Sequence, residues 1–324
     1  MSKRTKMTKT PKERKLNSDL FKYVETTNTP PPPPPPSPLS SFADNAFKKL
    51  SRGVLVSSSS SSSLEPCSTT INILVFDVET TGFIKKTNDI NEQPYILQLS
   101  FIVYEKHLKM SKSSVKKIYN EYIKIPNNVF ISEEITQLTG ITKEICMERG
   151  KKMSNVISDF YDAYKECDYV VSHNLDFDGE MVMLEIYRNK NVLHSLSPSS
   201  SLMFNKYYNM ENQITKYCTM QFGKKYQEKM LLAESSLSSL KGIAMVKNTY
   251  VKYPKLVELY QKLFGGKTPQ KLHDSLIDTF VCFCCFMKIE FNLDVDENTM
   301  NIFHNYGFKE EGGGGGGEEK EERR

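Results

Sequence analysis

The chain has 324 residues and lacks an apolar run long enough to cross a membrane. Its longest such run, residues 280–287, counts eight, whereas a spanning helix needs about 20. No membrane partner is therefore expected. The start, MSKRTKMTKT, has no apolar stretch behind its charges, so a secretory signal is not expected either. Cysteine is present in an odd number, seven, which disfavours a disulfide framework and points to an intracellular site, nucleus or cytoplasm. No pair of His or Cys at zinc-ligand spacing accompanies Cys282, Cys284 and Cys285, so that apolar stretch reads as core packing. A charge excess is also missing where the fold is expected. Residues 70–308 carry 28 Lys and Arg against 28 Asp and Glu. This balance argues against a protein that merely coats nucleic acid.

The asymmetry lies at the ends. The first 69 residues hold 11 basic and 5 acidic side chains. They also contain seven consecutive prolines at 30–36 and seven serines at 57–63. Such runs bury nothing, so residues 1–69 are expected to be a disordered, low-complexity region. The tail 309–324, six glycines and a charged end, is expected to be a second disordered segment. One domain over 70–308 remains, long enough for a single core.

Within it, residues 71–77 (INILVFD) form a β-branched apolar run expected to be a buried strand. Residues 95–104 and 117–125 read as two further strands. Short helices are expected around Gly140, then a helix over 155–167, a buried strand at 169–172 and a helix over 178–188. Residues 189–214 read as a loop-rich insertion, 217–220 as a last strand, and helices are expected near 237–246, 254–264 and 271–289. Strands followed by α/β alternation predict an α/β fold, a mixed central sheet with helices on both faces.

The chemistry-bearing residues cluster at element ends. The first strand ends in FDVETTG, where Asp77 and Glu79 stand two apart and so share a face. Two carboxylates side by side repel, unless a cation lies between them. Alone the pair is weak, since a solvated D-x-E arises by chance about once in such a chain. The strand at 169–172 leads into HNLDFD, ending at Asp178, and the last long helix opens with HDSLID. His273 and Asp278 are about 140° apart around a regular helix, so they reach a common centre only if His273 precedes the helix. Asp176 and Asp274, beside these residues, read as solvated charges, and His173 as a residue orienting its loop.

FDVETTG, HNLDFD and HDSLID, in this order, resemble the three motifs of the DEDDh, DnaQ-like 3′→5′ exonucleases. The wording is closest to the proofreading subunit of bacterial replicative polymerases and its stand-alone relatives. The segment LTGIT around Gly140 is similar to one between that group's first two motifs. The resemblance covers about residues 70–290. It implies a ribonuclease H-like fold and a metal-dependent hydrolysis that releases nucleoside 5′-monophosphates. Cleavage by two divalent ions suits hard oxygen ligands. Asp77, Glu79, Asp178 and Asp278 are thus the expected ligands of two Mg²⁺, with Mn²⁺ able to substitute, and the resemblance implies that Asp77 bridges both. His273 is the expected general base, because imidazole accepts a proton near neutral pH. Glu79, Thr80, Leu138 and His273 are expected to hold the terminal nucleotide, with Leu138 as a wedge against the last base. The implied partner is a nucleic acid 3′ end, DNA in preference to RNA; a polymerase partner or a homodimer is left open. The alternatives are an exoribonuclease trimming RNA 3′ ends and, in another class, a catalytically dead nucleic-acid-binding module. The latter predicts loss of a motif carboxylate or the histidine, and all five are present.

Overall fold

The computed structural model describes residues 70–108, 113–240 and 251–312. The expected low-complexity region 1–69, residues 313–324 of the expected tail, and most of a helix expected near 237–246 lie outside the described residues, whereas residues 309–312 of that tail are described and hold a short strand. A five-stranded sheet runs β3-β2-β1-β4-β5, from β1 (Thr70–Thr80), β2 (Ile96–His107), β3 (Ser114–Tyr122), β4 (Tyr169–Ser172) and β5 (Thr215–Cys218). The first three strands are antiparallel neighbours, whereas β1–β4 and β4–β5 are parallel. The mixed sheet is the one expected. β1 is central and buried on both faces, which is why it reads as an almost unbroken apolar run.

Helices cover both faces. α1 (Glu133–Thr139) and α2 (Lys143–Arg149) pack in a small apolar cluster with Leu97 of β2, and on one face of the sheet lie α3 (Met153–Tyr164) and α4 (Leu175–Arg188). There Leu74, Phe76 and Val78 of β1 pack with Phe160, Tyr164 and Met181. Further along come α5 (Lys190–Leu196), a 3₁₀ turn (Pro198–Leu202), α6 (Lys206–Glu211), α7 (Thr219–Leu240), α8 (Leu256–Leu263), α9 (Ser275–Phe291) and α10 (Glu297–Asn305). Ile71, Ile73 and Val75 of β1 pack with Phe280, Phe283 and Phe286 of α9 on the opposite face. Among the described residues no helix is long and apolar enough to cross a membrane.

Two local expectations differ from the structure. Residues 189–214 are mostly short helical turns rather than loop, because Asn205 caps α6 by accepting from the Tyr207 and Tyr208 amides, a strong helix-start device. The last strand is Thr215–Cys218 rather than 217–220, and Thr219 and Met220 already belong to α7, which runs on through residues 221–236. Its apolar spacing is weak, and Gly223 in its second turn disguises it. That glycine is there because a Cβ would stand 2.8 Å from a Leu259 methyl of α8.

A small antiparallel sheet pairs β6 (Thr268–Pro269) with β7 (Glu310–Glu311), and β7 lies just past the expected domain limit of 308. Glu310 accepts from the buried Tyr260 hydroxyl at 2.5 Å and pairs with Lys267 at 2.6 Å. Removing Glu310 strands that hydroxyl. A chain trimmed to 70–308 is expected to be about 1–2 kcal/mol less stable to urea than one trimmed to 70–312. Equal unfolding midpoints would show that this strand pair contributes nothing.

Candidate active site

Three element ends meet at the carboxyl end of β1. Side chains alternate along a strand, so Asp77 and Glu79 continue the face of Ile73 and Val75, which looks onto α9. The β1–β2 register shifts between Glu79 and Thr80, a bulge that ends regular pairing at the site. Thr80 is buried. Its hydroxyl donates to the Gly82 carbonyl at 2.8 Å and so shapes the turn that follows.

Beside β1, the parallel strand β4 delivers the second motif. Asn174 adopts a left-handed conformation, φ 77°, at the start of α4, which an asparagine tolerates. The break lets the chain turn at once into α4 and buries Asp178 in its first turn. Ser172, the last residue of β4, donates its hydroxyl to Asp178. His173 does orient this junction. Its Nε2 lies 3.1 Å from the Pro254 carbonyl and its Nδ1 2.9 Å from the Thr219 hydroxyl. A carbonyl only accepts, so Nε2 carries the proton and Nδ1 accepts from Thr219. Burial pushes the pKa of His173 down to about 4, which keeps the ring neutral.

The third motif straddles the start of α9, as its spacing required. His273 lies before the helix in the left-handed region, φ 70°, a strained backbone for a non-glycine residue. Asp274 is the N-cap, accepting from the Leu276 amide at 3.0 Å; it is not merely a solvated charge. Two polar residues in the apolar strand β2 receive this helix end. Gln98 accepts from the Ser275 amide at 3.4 Å, and the Ser100 and Ser275 hydroxyls share a hydrogen bond of 2.6 Å. The His273 amide donates to Asp278 at 3.1 Å.

The result is a dense negative cluster. Ligand atoms of Glu79, His273 and Asp278 all lie within 4.8 Å of one another. Asp77 is pushed well above the usual carboxylate range by burial and by the charges of Asp178, Asp278, Glu79 and Asp274. Burial, then neighbouring carboxylates, raise Glu79 as well. Asp178 is raised by burial and Asp278, and Asp278 by burial and Asp274. One buried oxygen of Asp278, Oδ1, has no hydrogen-bond partner. An orphaned buried oxygen amid carboxylates that resist ionisation fits a hard divalent cation, whose preferred donors are carboxylate oxygens. His273, at the exposed rim, is held below its ordinary pKa by partial burial and by the positive charge of Lys255.

The expected wedge, Leu138, is half-exposed at 49% on α1. Two aromatic residues beside the motifs were not singled out from the sequence. Phe83, directly after the first motif, is 86% exposed, and its ring meets Phe177, the neighbour of Asp178, edge-on at 6.2 Å. A large apolar side chain following a polar turn was the available signal. Asp176, by contrast, is exposed as expected, accepting from Gln221 at 3.2 Å.

The raised carboxylates make metal-free stability depend on pH. Below about pH 4 they are protonated both folded and unfolded, and there is no penalty. As pH rises, the unfolded chain releases protons that the folded site retains, up to about 8 for Glu79 and Asp178, so stability falls across that window. A bound cation offsets the penalty. The Tm difference between Mg²⁺ and EDTA samples is expected to be small at pH 5 and to grow steadily to pH 8. The slope from His173, of opposite sign below pH 6.5, cancels in the difference. A difference that does not change with pH would contradict the electrostatic reading.

Comparison with known proteins identifies the family. The family model described as exonuclease, RNase_T, matches residues 74–283, well over half of the chain. No curated protein matches. Among solved structures, E. coli exonuclease I in complex with a dA16 oligonucleotide is similar at 16% identity and a TM-score of 0.43, over 67% of this chain and 41% of that one. Exonuclease I from Methylocaldum szegediense is similar at 19% identity and a TM-score of 0.43, over 67% and 40%. The chain thus spans about two fifths of the length of these structures. Motifs, fold and family model converge on one assignment: the chain belongs to the RNase_T exonuclease family, the DEDDh relationship that its three acidic motifs implied.

Proposed function

We propose that this exonuclease is metal-dependent and degrades DNA from single-stranded or frayed 3′ ends, releasing nucleoside 5′-monophosphates. The observation that carries the reading is the meeting of Glu79, Asp278 and His273 within 4.8 Å, beside the mutually repelling Asp77 and Asp178. Asp77, Glu79, Asp178 and Asp278 would hold two divalent cations, Mg²⁺ or Mn²⁺. These would supply alignment and acidification of the attacking water and relief of charge at the leaving oxygen.

The chain's own residues do the rest. His273 takes the proton from water; its lowered pKa leaves the ring neutral, and able to accept, at pH 7. The strained backbone of His273 and the Asp274 cap fix the ring relative to Asp278. Glu79 and Thr80 border the terminal sugar, and Leu138 wedges the last base. Exposed Phe83, backed by Phe177, offers a face on which a base stacks, an interaction worth about 1–3 kcal/mol per base. Stacking of this kind needs an unpaired base, which supports a single-stranded end.

Single-stranded DNA and RNA of equal sequence, labelled at the 3′ or the 5′ end and incubated with Mg²⁺, Mn²⁺ or EDTA, test the reading. A 5′ label is expected to report progressive shortening, faster on DNA, and EDTA to stop it. Faster RNA shortening would favour trimming of RNA 3′ ends, and no cleavage of either would support a binding module. At saturating Mg²⁺, log kcat is expected to rise with pH and level off below about pH 7, since His273 loses its proton below 6.5. His273→Ala should lower kcat by about 10²–10⁴, and His273→Gln should not restore it, because an amide cannot take the proton. Normal turnover per folded molecule in His273→Ala would remove His273 as the base.

A further inference from the structure

The candidate centre gathers Asp77, Glu79, Asp178, Asp274 and Asp278, with Asp176 at its edge. A polyanionic strand approaching such a cluster is repelled unless cations stand close to its path. The domain carries no overall positive charge to help. The cations must therefore be placed, and one surface beside His273 places them.

α7 leaves β5 at Thr219, the partner of His173. Two residues on, Gln221 reaches Asp176 at the start of α4 at 3.2 Å. Lys224 follows three residues later on the same helix face. Its ammonium lies 4.7 Å from the centre of the Tyr253 ring. Tyr253 belongs to the short segment 251–255, which His173 pins through the Pro254 carbonyl at 3.1 Å. The Tyr253 ring is 51% exposed, a flat platform in reach of solvent. Two residues on, Lys255 projects its charge onto the His273 ring. Lys224 also makes a long ion pair, 3.8 Å, with Glu228 on its own helix.

Resting on the exonuclease reading, we propose that Lys224, Tyr253 and Lys255 form a track that holds the single strand upstream of the nucleotide being removed. The lysines take phosphates and Tyr253 stacks a base, the combination that grips single strands without reading sequence. Neutral His173 is the pin that keeps segment 251–255 beside the centre.

The test is binding to the full chain in Ca²⁺ without Mg²⁺, by fluorescence anisotropy with labelled oligo(dT) of 12 nucleotides and by competition with the dinucleotide pTpT. Wild type is expected to bind the 12-mer more tightly than the dinucleotide. Lys224→Glu and Tyr253→Ala should each weaken the 12-mer by about tenfold and leave the dinucleotide within about twofold. Lys224→Glu should also flatten the dependence of log affinity on log salt by about 0.7, one phosphate contact on a single strand. If Lys224→Glu fails to fold, Lys224→Gln decides, with the same salt criterion. A wild type that does not favour the longer strand, variants that bind the 12-mer normally, or variants that lose both ligands equally would each overturn the track. Hydrolysis of the same oligonucleotides by wild type in Mg²⁺ is run beside it. Length-dependent binding without hydrolysis would defeat the exonuclease reading and leave the track standing.

Discussion

Mutual repulsion among buried carboxylates is the constraint around which this fold is arranged. Asp77 and Glu79 come from β1, Asp178 from the start of α4 and Asp278 from the first turn of α9. Each would be more comfortable in water, and together they resist ionisation. What holds them is packing further from the site. The apolar remainder of β1 is clamped between α3 and α4 on one face and α9 on the other. α9 alone buries Phe280, Phe283 and Phe286, side chains whose truncation typically costs about 3–5 kcal/mol each. Against that, a strained residue such as His273 costs about 1–3 kcal/mol. The core can hold the cluster together without a cation, but at a penalty that grows with pH.

The polar contacts around the cluster give it direction. Gln98 and Ser100 sit where an apolar strand would carry aliphatic residues, and they receive the buried amide and hydroxyl of Ser275 at the α9 start. The two motif histidines then divide the work. His173 has both ring nitrogens engaged and is held neutral by burial, which suits a joint. His273 stands at the rim with a ring nitrogen close to Glu79 and Asp278, which suits proton transfer.

The parts legible in the sequence are those governed by local periodicity. β1 is visible because a strand buried on both faces is continuously apolar, and the shared face of Asp77 and Glu79 follows from two-residue alternation. The place of His273 ahead of α9 follows from a spacing that no regular helix satisfies. The hidden parts depend on distant partners. Gln98 meets Ser275 across 177 residues of chain, so nothing local marks it as the seat of a helix. Asp274 looks like a solvated charge in the sequence because capping depends on where the helix begins. α7 was hidden because its packing against α8 needs a glycine, Gly223, where helical propensity asks for something else. Phe83 was passed over because exposure cannot be read from a single aromatic residue.

The carboxylates of this site are expected to hold protons that a divalent cation displaces. Calorimetric titration of the metal-free protein with Mn²⁺ at pH 7, repeated in buffers of different ionisation enthalpy, counts those protons directly. With Glu79 and Asp178 raised to about 8, at least about one proton should be released per protein on saturation. That release should vanish in Glu79→Gln with Asp178→Asn. Saturable binding with no proton release would show that the carboxylates are already ionised, and would contradict the account.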